Sequence, residues 1–206
     1  MYFGGICFIT DRGATGIPYR EMVSRVLTAG IRWIQFREKL KPRLKLYEQA
    51  MEIRALTKDA DAILIINDHV DIAQAVGADG IHLGQEDLPI KEARKIVGKD
   101  RIIGISTHNL EQAVKAEEAG ADYIGFGPVF HTTTKVAGAP RGISMLKTIT
   151  GRIHIPVVAI GGINLDNVES VFLNGADAVA VASAILTGDI EKNTAGFLKI
   201  IAAVNQ

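Results

Sequence analysis

Short apolar runs alternate with longer amphipathic stretches along this chain. Four of the runs share one form, in which a glycine, usually followed by Ala-Asp, precedes several apolar residues: AGIRWIQF (29–36), GADGIHL (77–83), GADYIGF (120–126) and GADAVAV (175–181). Each follows an amphipathic stretch, so the glycine indicates the end of a helix and the apolar run indicates a strand. The spacing of about 45 to 55 residues is roughly that of two strand–helix units, which raises the question of further strands between them.

Four further apolar runs, rich in isoleucine and valine, lie between the repeated ones: ICFIT (6–10), ILIIN (63–67), IIGIS (102–106) and IPVVAI (155–160). None of the eight runs alternates cleanly between apolar and polar residues, which is typical of parallel strands buried on both faces. The stretches between them predict helices. In the last one, Phe197, Ile200, Ile201 and Val204 follow helical spacing.

Eight strand–helix units in 206 residues predict an α/β fold, a single compact (β/α)8 TIM barrel that spans 1–206 as one domain. An open doubly wound sheet is the alternative. We favour the barrel because the alternating repeat fits a closed ring and because no G-x-G-x-x-G motif follows the first strand. In such a barrel the active residues follow the strands, at the carboxyl end of the ring.

The composition argues against several classes of protein. Lys plus Arg and Asp plus Glu number 23 each, so net charge gives no reason to expect nucleic acid or an anionic membrane as a partner. No apolar run approaches the roughly 18 residues of a membrane span, and the N-terminal stretch lacks the basic start of a signal peptide. Cys7 is the single cysteine, which fits a reducing compartment, and we expect a cytoplasmic protein with Cys7 in its core.

Cationic residues follow two of the predicted strands in this otherwise neutral chain. Arg37 and Lys39 come after the second strand, and Lys135 lies in FHTTTKVAGAP after the sixth. At neighbouring strand ends they would converge on an anion, to which arginine offers a bidentate fork and lysine a mobile charge. The alternative is a solvated loop in which Glu38 pairs with its neighbours.

Two glycines, Gly161 and Gly162, follow the seventh strand. Barrels of this kind commonly bind phosphate in the loops after strands seven and eight, where glycine allows a close approach of the backbone. The alternative is that both glycines merely turn the chain.

Two aspartates also follow strands, Asp68 after the third and Asp87 after the fourth. Each could cap the next helix, Asp68 before the stretch from His69 and Asp87 before Leu88-Pro89. The functional alternative is a magnesium site, since Mg²⁺ usually takes one or two carboxylates and completes its shell with water and substrate phosphates. No pattern of histidine and cysteine suggests zinc.

Two histidines lie at strand ends. His82 lies within the fourth strand, where it is either a hydrogen-bonded structural residue or a functional one. His108 follows Ser106 and Thr107. Either hydroxyl residue could start the next helix, with His108 exposed in its first turn.

The polar segments match the motifs of a known family in order: QFREK, ND at 67–68, DGIHLGQED, STH, GPVFHTTTK, AIGGI and GADAVAVAS. Together they resemble the thiamine-phosphate synthase family, whose members are (β/α)8 barrels. The resemblance runs from about residue 6 to about residue 187. Each motif alone is weak, but seven in order at the predicted strand ends are highly specific.

The resemblance implies a transferase that joins hydroxymethylpyrimidine diphosphate to a thiazole phosphate and releases pyrophosphate, by a dissociative reaction without a protein nucleophile. It implies Mg²⁺ held by Asp68 and Asp87, and catalytic roles for Lys135, Arg37 and Ser106. The implied ligands are Gln35 and His82 for the pyrimidine, Arg37, Lys39, Asn67 and Lys135 for the diphosphate, Ser106 for the reacting groups, and Thr132, Thr134, Gly162, Ala182 and Ser183 for the thiazole phosphate.

Two alternatives stay open at this point. The related thiazole tautomerases use a histidine at the position of His108, but they have no diphosphate to bind. The joint presence of Asn67, Asp68, Asp87 and Lys135 therefore favours the synthase. A non-catalytic barrel that binds thiazole phosphate is the second alternative, and the acidic pair argues against it. The expected partners are small-molecule substrates, and a homo-oligomer is an open possibility.

Overall fold

A computed structural model describes residues 4–132 and 139–204, and the predicted barrel is confirmed there. Its eight strands are β1 (Gly5–Ile9), β2 (Trp33–Phe36), β3 (Ile63–Asn67), β4 (Gly80–Leu83), β5 (Ile102–Thr107), β6 (Tyr123–Phe126), β7 (Val157–Ile160) and β8 (Ala178–Val181). They pair in parallel and in chain order, and β8 returns to β1 to close the ring. The alternative of an open sheet is therefore wrong.

Helices alternate with the strands, and two short ones are added after β1 and β8. Within the described residues they are α1 (Arg12–Thr15), α2 (Tyr19–Thr28), α3 (Arg43–Asp59), α4 (Val70–Val76), α5 (Ile90–Val97), α6 (Leu110–Glu118), α7 (Gly142–Thr150), α8 (Val168–Leu173), α9 (Ser183–Leu186) and α10 (Ile190–Val204). Prolines stand directly before α2, α3 and α5. Proline is tolerated there because a backbone N–H at the start of a helix has no hydrogen-bond partner within the helix. In the part of the chain that the structure covers, no helix has the length and apolar character needed to cross a bilayer.

A second, smaller core fills the inside of the ring. Its buried members are Cys7, Ile9, Trp33, Ile65, Ile102, Tyr123, Val158, Ala178 and Ala180. Trp33 and Tyr123 meet edge to face with ring centroids 5.2 Å apart. Gly104 makes room for the Tyr123 ring, because a Cβ at this position would overlap it. Cys7 is buried as predicted, and burial raises the pKa of its thiol, which keeps it uncharged.

The Gly-Ala-Asp repeat has a structural role at the amino end of the strands. In three copies the aspartate accepts a hydrogen bond from a backbone N–H near the start of another strand. These bonds run from Leu64 N to Asp79 Oδ2 (2.7 Å), from Ile103 N to Asp122 Oδ2 (2.7 Å) and from Val157 N to Asp177 Oδ2 (2.8 Å). Arg54 and Arg94 pair with Asp79 and Asp122. The repeat thus fixes neighbouring strands at the end of the barrel opposite the candidate site.

Asp79→Ala is expected to lower the free energy of unfolding by about 2 to 3 kcal/mol, because the carboxylate serves both Leu64 N and the Arg54 guanidinium. Urea denaturation measures the change. Asp71→Ala is the matched control, since its ion pair with Arg43 is exposed and should contribute no more than about 1 kcal/mol. Equal losses in the two variants would contradict the structural role of the repeat.

Candidate active site

Two adjoining cavities open at the carboxyl end of the strands. The deep cavity lies inside the ring and has about 480 Å³ of empty space, and the outer cavity has about 850 Å³, each including the part open to solvent. Arg37, Ser106 and Gly125 are among the residues that line both cavities. Because the walls are shared, a ligand in one cavity would lie next to a ligand in the other.

The deep cavity has a polar wall built from consecutive strands. Five predicted site residues line it: Gln35, Arg37, Asn67, His82 and Ser106. Strand register explains the grouping, since Asn67 at the end of β3 pairs with His82 of β4. Gln35 and His82 are 4% and 7% exposed, so they would meet only a ligand that has entered the ring.

A chain of hydrogen bonds crosses the deep cavity. His82 Nδ1 lies 2.9 Å from the Tyr123 hydroxyl, and His82 Nε2 lies 2.9 Å from Ser106 Oγ. The Gln35 amide also bonds to the Tyr123 hydroxyl. Burial raises the pKa of Tyr123 well above its usual range, so the phenol keeps its proton and remains both a donor and an acceptor. His82 is therefore hydrogen-bonded at both ring nitrogens and also lines the cavity.

The outer cavity is bounded by the loops after β6, β7 and β8. Four of the residues predicted to bind the thiazole phosphate line it: Thr132, Gly162, Ala182 and Ser183. Gly161 and Gly162 have φ angles of 97° and 66°, which favour glycine. A Cβ at Gly162 would also overlap the carbonyl oxygen of His131. These glycines both turn the chain and bring the loops after β6 and β7 into close contact.

His108 lines the outer cavity on its other side. Its Nδ1 donates to the carbonyl oxygen of Gly127 over 2.6 Å, so a neutral His108 ring has Nε2 as its acceptor. The next helix, α6, is capped by Asn109, whose side chain accepts from Gln112 N. The alternative that Ser106 or Thr107 starts this helix is wrong, because both belong to β5 and the chain reaches helical geometry only after Asn109.

Asp68 and Asp87 lie side by side at the strand ends. Burial raises the pKa of Asp68, and the nearby charge of Asp87 raises it further. Lys39 Nζ lies 3.3 Å from Asp68 Oδ2 and partly offsets these effects. Asp87 Oδ2 accepts from Gly84 N over 2.6 Å. Two carboxylates thus share a partly buried place next to a lysine.

Neither aspartate caps a helix, so the capping alternative is wrong for both. The N-cap position of α4 is His69, and that of α5 is Pro89. Asp68 has a φ of 62°, whereas an N-cap residue has extended backbone geometry. A left-handed conformation at a residue other than glycine is uncommon and places the Asp68 carboxylate beside Asp87.

The carboxylate pair fits magnesium better than zinc. Across residues 4–132 and 139–204, no three or more histidine, cysteine, aspartate or glutamate side chains are grouped so as to hold a metal. A zinc site needs such a group, whereas Mg²⁺ accepts two protein carboxylates and takes its other ligands from water and substrate phosphates. Burial and, second to it, the charge of Asp87 raise the pKa of Asp68, and a divalent cation between the carboxylates would offset that repulsion.

The two cationic residues predicted after β2, Arg37 and Lys39, lie in different surroundings. Arg37 lines both cavities, and Lys39 pairs with Asp68. Glu38 accepts instead from the Tyr19 hydroxyl (2.9 Å) and from Leu40 N (2.7 Å). Two of the predicted ligands, Thr134 and Lys135, lie outside the described residues and stay predictions.

Several residues that line the cavities were not predicted from the sequence, among them Tyr123, Asp11 and Thr10. Tyr123 lines the deep cavity, Asp11 lines the outer one, and Thr10 lines the outer cavity beside Arg37. Tyr123 and Thr10 belong to apolar runs, so they carried no polar signal of their own. The periodicity of β6 offered a clue, since Tyr123 and Gly125 alternate with buried residues that face the helices.

The closed ring, with its ligand cavities at the carboxyl end of the strands, places the chain in the class of (β/α)8-barrel enzymes. A profile of the thiamine monophosphate synthase family matches residues 6–185. The thiamine-phosphate synthase of Chloroflexus aurantiacus is 42% identical over 200 residues, which cover 96% of this chain and 92% of the relative. That of Caldicellulosiruptor saccharolyticus is 51% identical over 180 residues, covering 87% and 81%.

The solved structures include a similar barrel. The thiamine phosphate pyrophosphorylase from Pyrococcus furiosus has a TM-score of 0.90 and 40% sequence identity, and the match covers 98% of this chain and 97% of that one. The chain belongs to the thiamine monophosphate synthase family.

Proposed function

We propose that this protein joins 4-amino-2-methyl-5-hydroxymethylpyrimidine diphosphate to 4-methyl-5-(2-phosphoethyl)thiazole, forming thiamine phosphate and pyrophosphate. The observation that carries the proposal is the pair of adjoining cavities, with Arg37 and Ser106 on their shared wall and the acidic pair after β3 and β4 at the same end of the barrel. A reaction between two small molecules needs two such places in contact, because holding both reactants in one geometry removes much of the entropic barrier.

The deep cavity suits the pyrimidine. Gln35, His82 and Ser106 offer amide, imidazole and hydroxyl groups to the edge of a heteroaromatic ring, and apolar side chains such as Ile9, Val158 and Ile160 also line the cavity. The hydrogen bonds that join these residues through Tyr123 hold their donors and acceptors in fixed positions. A flat ring with polar substituents matches this combination of fixed polar groups and apolar side chains.

The outer cavity suits the thiazole phosphate. Gly162, Ala182 and Ser183 line it after β7 and β8, where barrels commonly bind phosphate, and Thr132 lines it after β6. We assign Thr134 to the same phosphate. We assign Lys135, which lies in the same segment of the sequence, to the diphosphate of the other substrate, together with Arg37, Lys39 and Asn67.

In the reaction, the bond between the pyrimidine methylene carbon and the diphosphate oxygen breaks, and its electron pair leaves with pyrophosphate. The thiazole nitrogen then donates its lone pair to the methylene carbon and forms the new C–N bond. No protein nucleophile takes part. Arg37, Lys39 and Lys135 hold the leaving group and bind it more strongly as its charge grows. Asp68 and Asp87 would hold Mg²⁺, which supplies further positive charge to the diphosphate.

Purified protein, Mg²⁺ and both substrates should yield thiamine phosphate and pyrophosphate in equal amounts, and omission of either substrate should abolish both products. Chromatography of the product and an enzymatic pyrophosphate assay measure the two. Isomerisation of the thiazole without product would instead support a tautomerase that uses His108. Binding of thiazole phosphate without any conversion would support the non-catalytic alternative.

A further inference from the structure

Thr10 lies directly after β1 and is fully buried. Its backbone N–H donates to the carbonyl oxygen of Gln35 over 3.0 Å. Its hydroxyl accepts from Arg37 N over 2.9 Å and donates to Arg37 O over 3.2 Å. One side chain therefore binds both backbone polar groups of a residue 27 positions further along the chain.

The hydrogen bonds between Thr10 and Arg37 lie just beyond the end of the β1–β2 ladder. The β1–β2 ladder ends where Ile9 pairs with Gln35, so Arg37 lies beyond regular strand pairing. The Thr10 hydroxyl replaces the next rung of the ladder and satisfies an N–H and a C=O that would otherwise need other partners. Arg37 is thereby held in place where its side chain lines both cavities.

We propose that Thr10 is a positioning residue for the reaction, which acts by fixing the backbone of Arg37 and so aiming its guanidinium at the diphosphate. The proposal rests on the proposed function, in which Arg37 binds that group. Thr57 provides a contrast within the same chain. It is equally buried, but its hydroxyl donates only to Arg54 O in its own helix, away from both cavities.

The test is a double-mutant cycle between Thr10→Val and Arg37→Ala, measured as kcat/KM for the pyrimidine diphosphate. Thr10→Val keeps the shape of the side chain and removes the hydroxyl. Alone it should lower kcat/KM about tenfold to fiftyfold, because a small misplacement of a binding group strongly reduces the stabilisation of the transition state. In the Arg37→Ala background the same change should cost less than about twofold, because the group that it misplaces is absent.

Three further measurements separate positioning from stability. Thr10→Ser retains the hydroxyl and should restore kcat/KM to within about threefold of wild type. Thr57→Val removes a buried hydroxyl from α3 and should leave kcat/KM unchanged. The third measurement is the affinity for inorganic pyrophosphate in the presence of Mg²⁺, determined by calorimetry. Thr10→Val should have a lower affinity than wild type. Adding Thr10→Val to Arg37→Ala should change the affinity little. If Thr10→Val does not fold, Thr10→Ala takes its place in the cycle.

Equal losses from Thr10→Val in both backgrounds, or no loss in either, would overturn the proposal. A wild-type protein that forms no thiamine phosphate would instead refute the proposed function. The pyrophosphate titration would then still decide whether Thr10 acts through Arg37.

Discussion

Asp87→Asn is expected to lower kcat/KM about a thousandfold, which corresponds to about 4 kcal/mol of transition-state stabilisation. The substitution keeps the size of the side chain and removes the charge that we assign to magnesium. Asp68 and the Gly84 amide would remain in place around it. Steady-state kinetics over a range of Mg²⁺ concentrations measure the effect, and the variant should need more Mg²⁺ for half-maximal activity.

The free energy of unfolding of Asp87→Asn distinguishes metal binding by Asp87 from a structural role of this residue. Without metal, the two carboxylates repel each other, so Asp87→Asn should change the free energy of unfolding by less than about 1 kcal/mol. Asp71→Asn is the matched control, because Asp71 is an exposed aspartate in α4 and its substitution should affect neither property. A large loss of stability in Asp87→Asn, with unchanged Mg²⁺ dependence, would contradict the metal assignment.

Gly162→Ala is expected to raise KM for the thiazole phosphate about a hundredfold, with KM for the pyrimidine diphosphate changed less than about threefold. The new Cβ would overlap the His131 carbonyl oxygen and would lie 2.8 Å from Phe130 Cβ. The loop after β6 must therefore shift, and Thr132 in the outer cavity would shift with it. Initial-rate kinetics with each substrate varied in turn give both constants.

Gly77→Ala is the matched control for the backbone. Gly77 has a φ of 61°, close to the 66° of Gly162, but nothing lies within 4 Å of a Cβ built there. Both variants should lose about 1 kcal/mol of stability from the left-handed conformation, and only Gly162→Ala should change KM. Equal effects on KM in the two variants would show that the contact with the loop after β6 does not shape the outer cavity.

The sequence was sufficient to predict the fold because the barrel is encoded by a repeat. Each Gly-Ala-Asp copy combines the end of a helix with the start of a strand, and Asp79 shows why the aspartate is there, since it binds the neighbouring strand. The uninterrupted apolar runs then predicted parallel strands covered on both faces. These are local signals, and they sufficed because consecutive strands of this barrel are also neighbours in space.

The site was harder to predict, because its geometry depends on contacts between distant residues. From the sequence, Asp68 and Asp87 could either cap helices or bind a metal, and only the left-handed backbone at Asp68 and the later starts of α4 and α5 exclude the capping role. Thr10 and Tyr123 belong to apolar runs of the sequence, so their polar contacts with Arg37 and His82 emerge only once the strands are in register. The roles of Thr134 and Lys135 rest on the family resemblance.

A crystal structure of the protein with Mg²⁺, pyrophosphate and thiamine phosphate tests the central claim most directly. We predict the pyrimidine ring in the deep cavity against Gln35 and His82, and the phosphate of the product in the outer cavity at Gly162 and Ser183. The metal should bind Asp68 and Asp87, and pyrophosphate should contact Arg37. A product bound in the opposite direction, or a metal away from the two aspartates, would contradict the account.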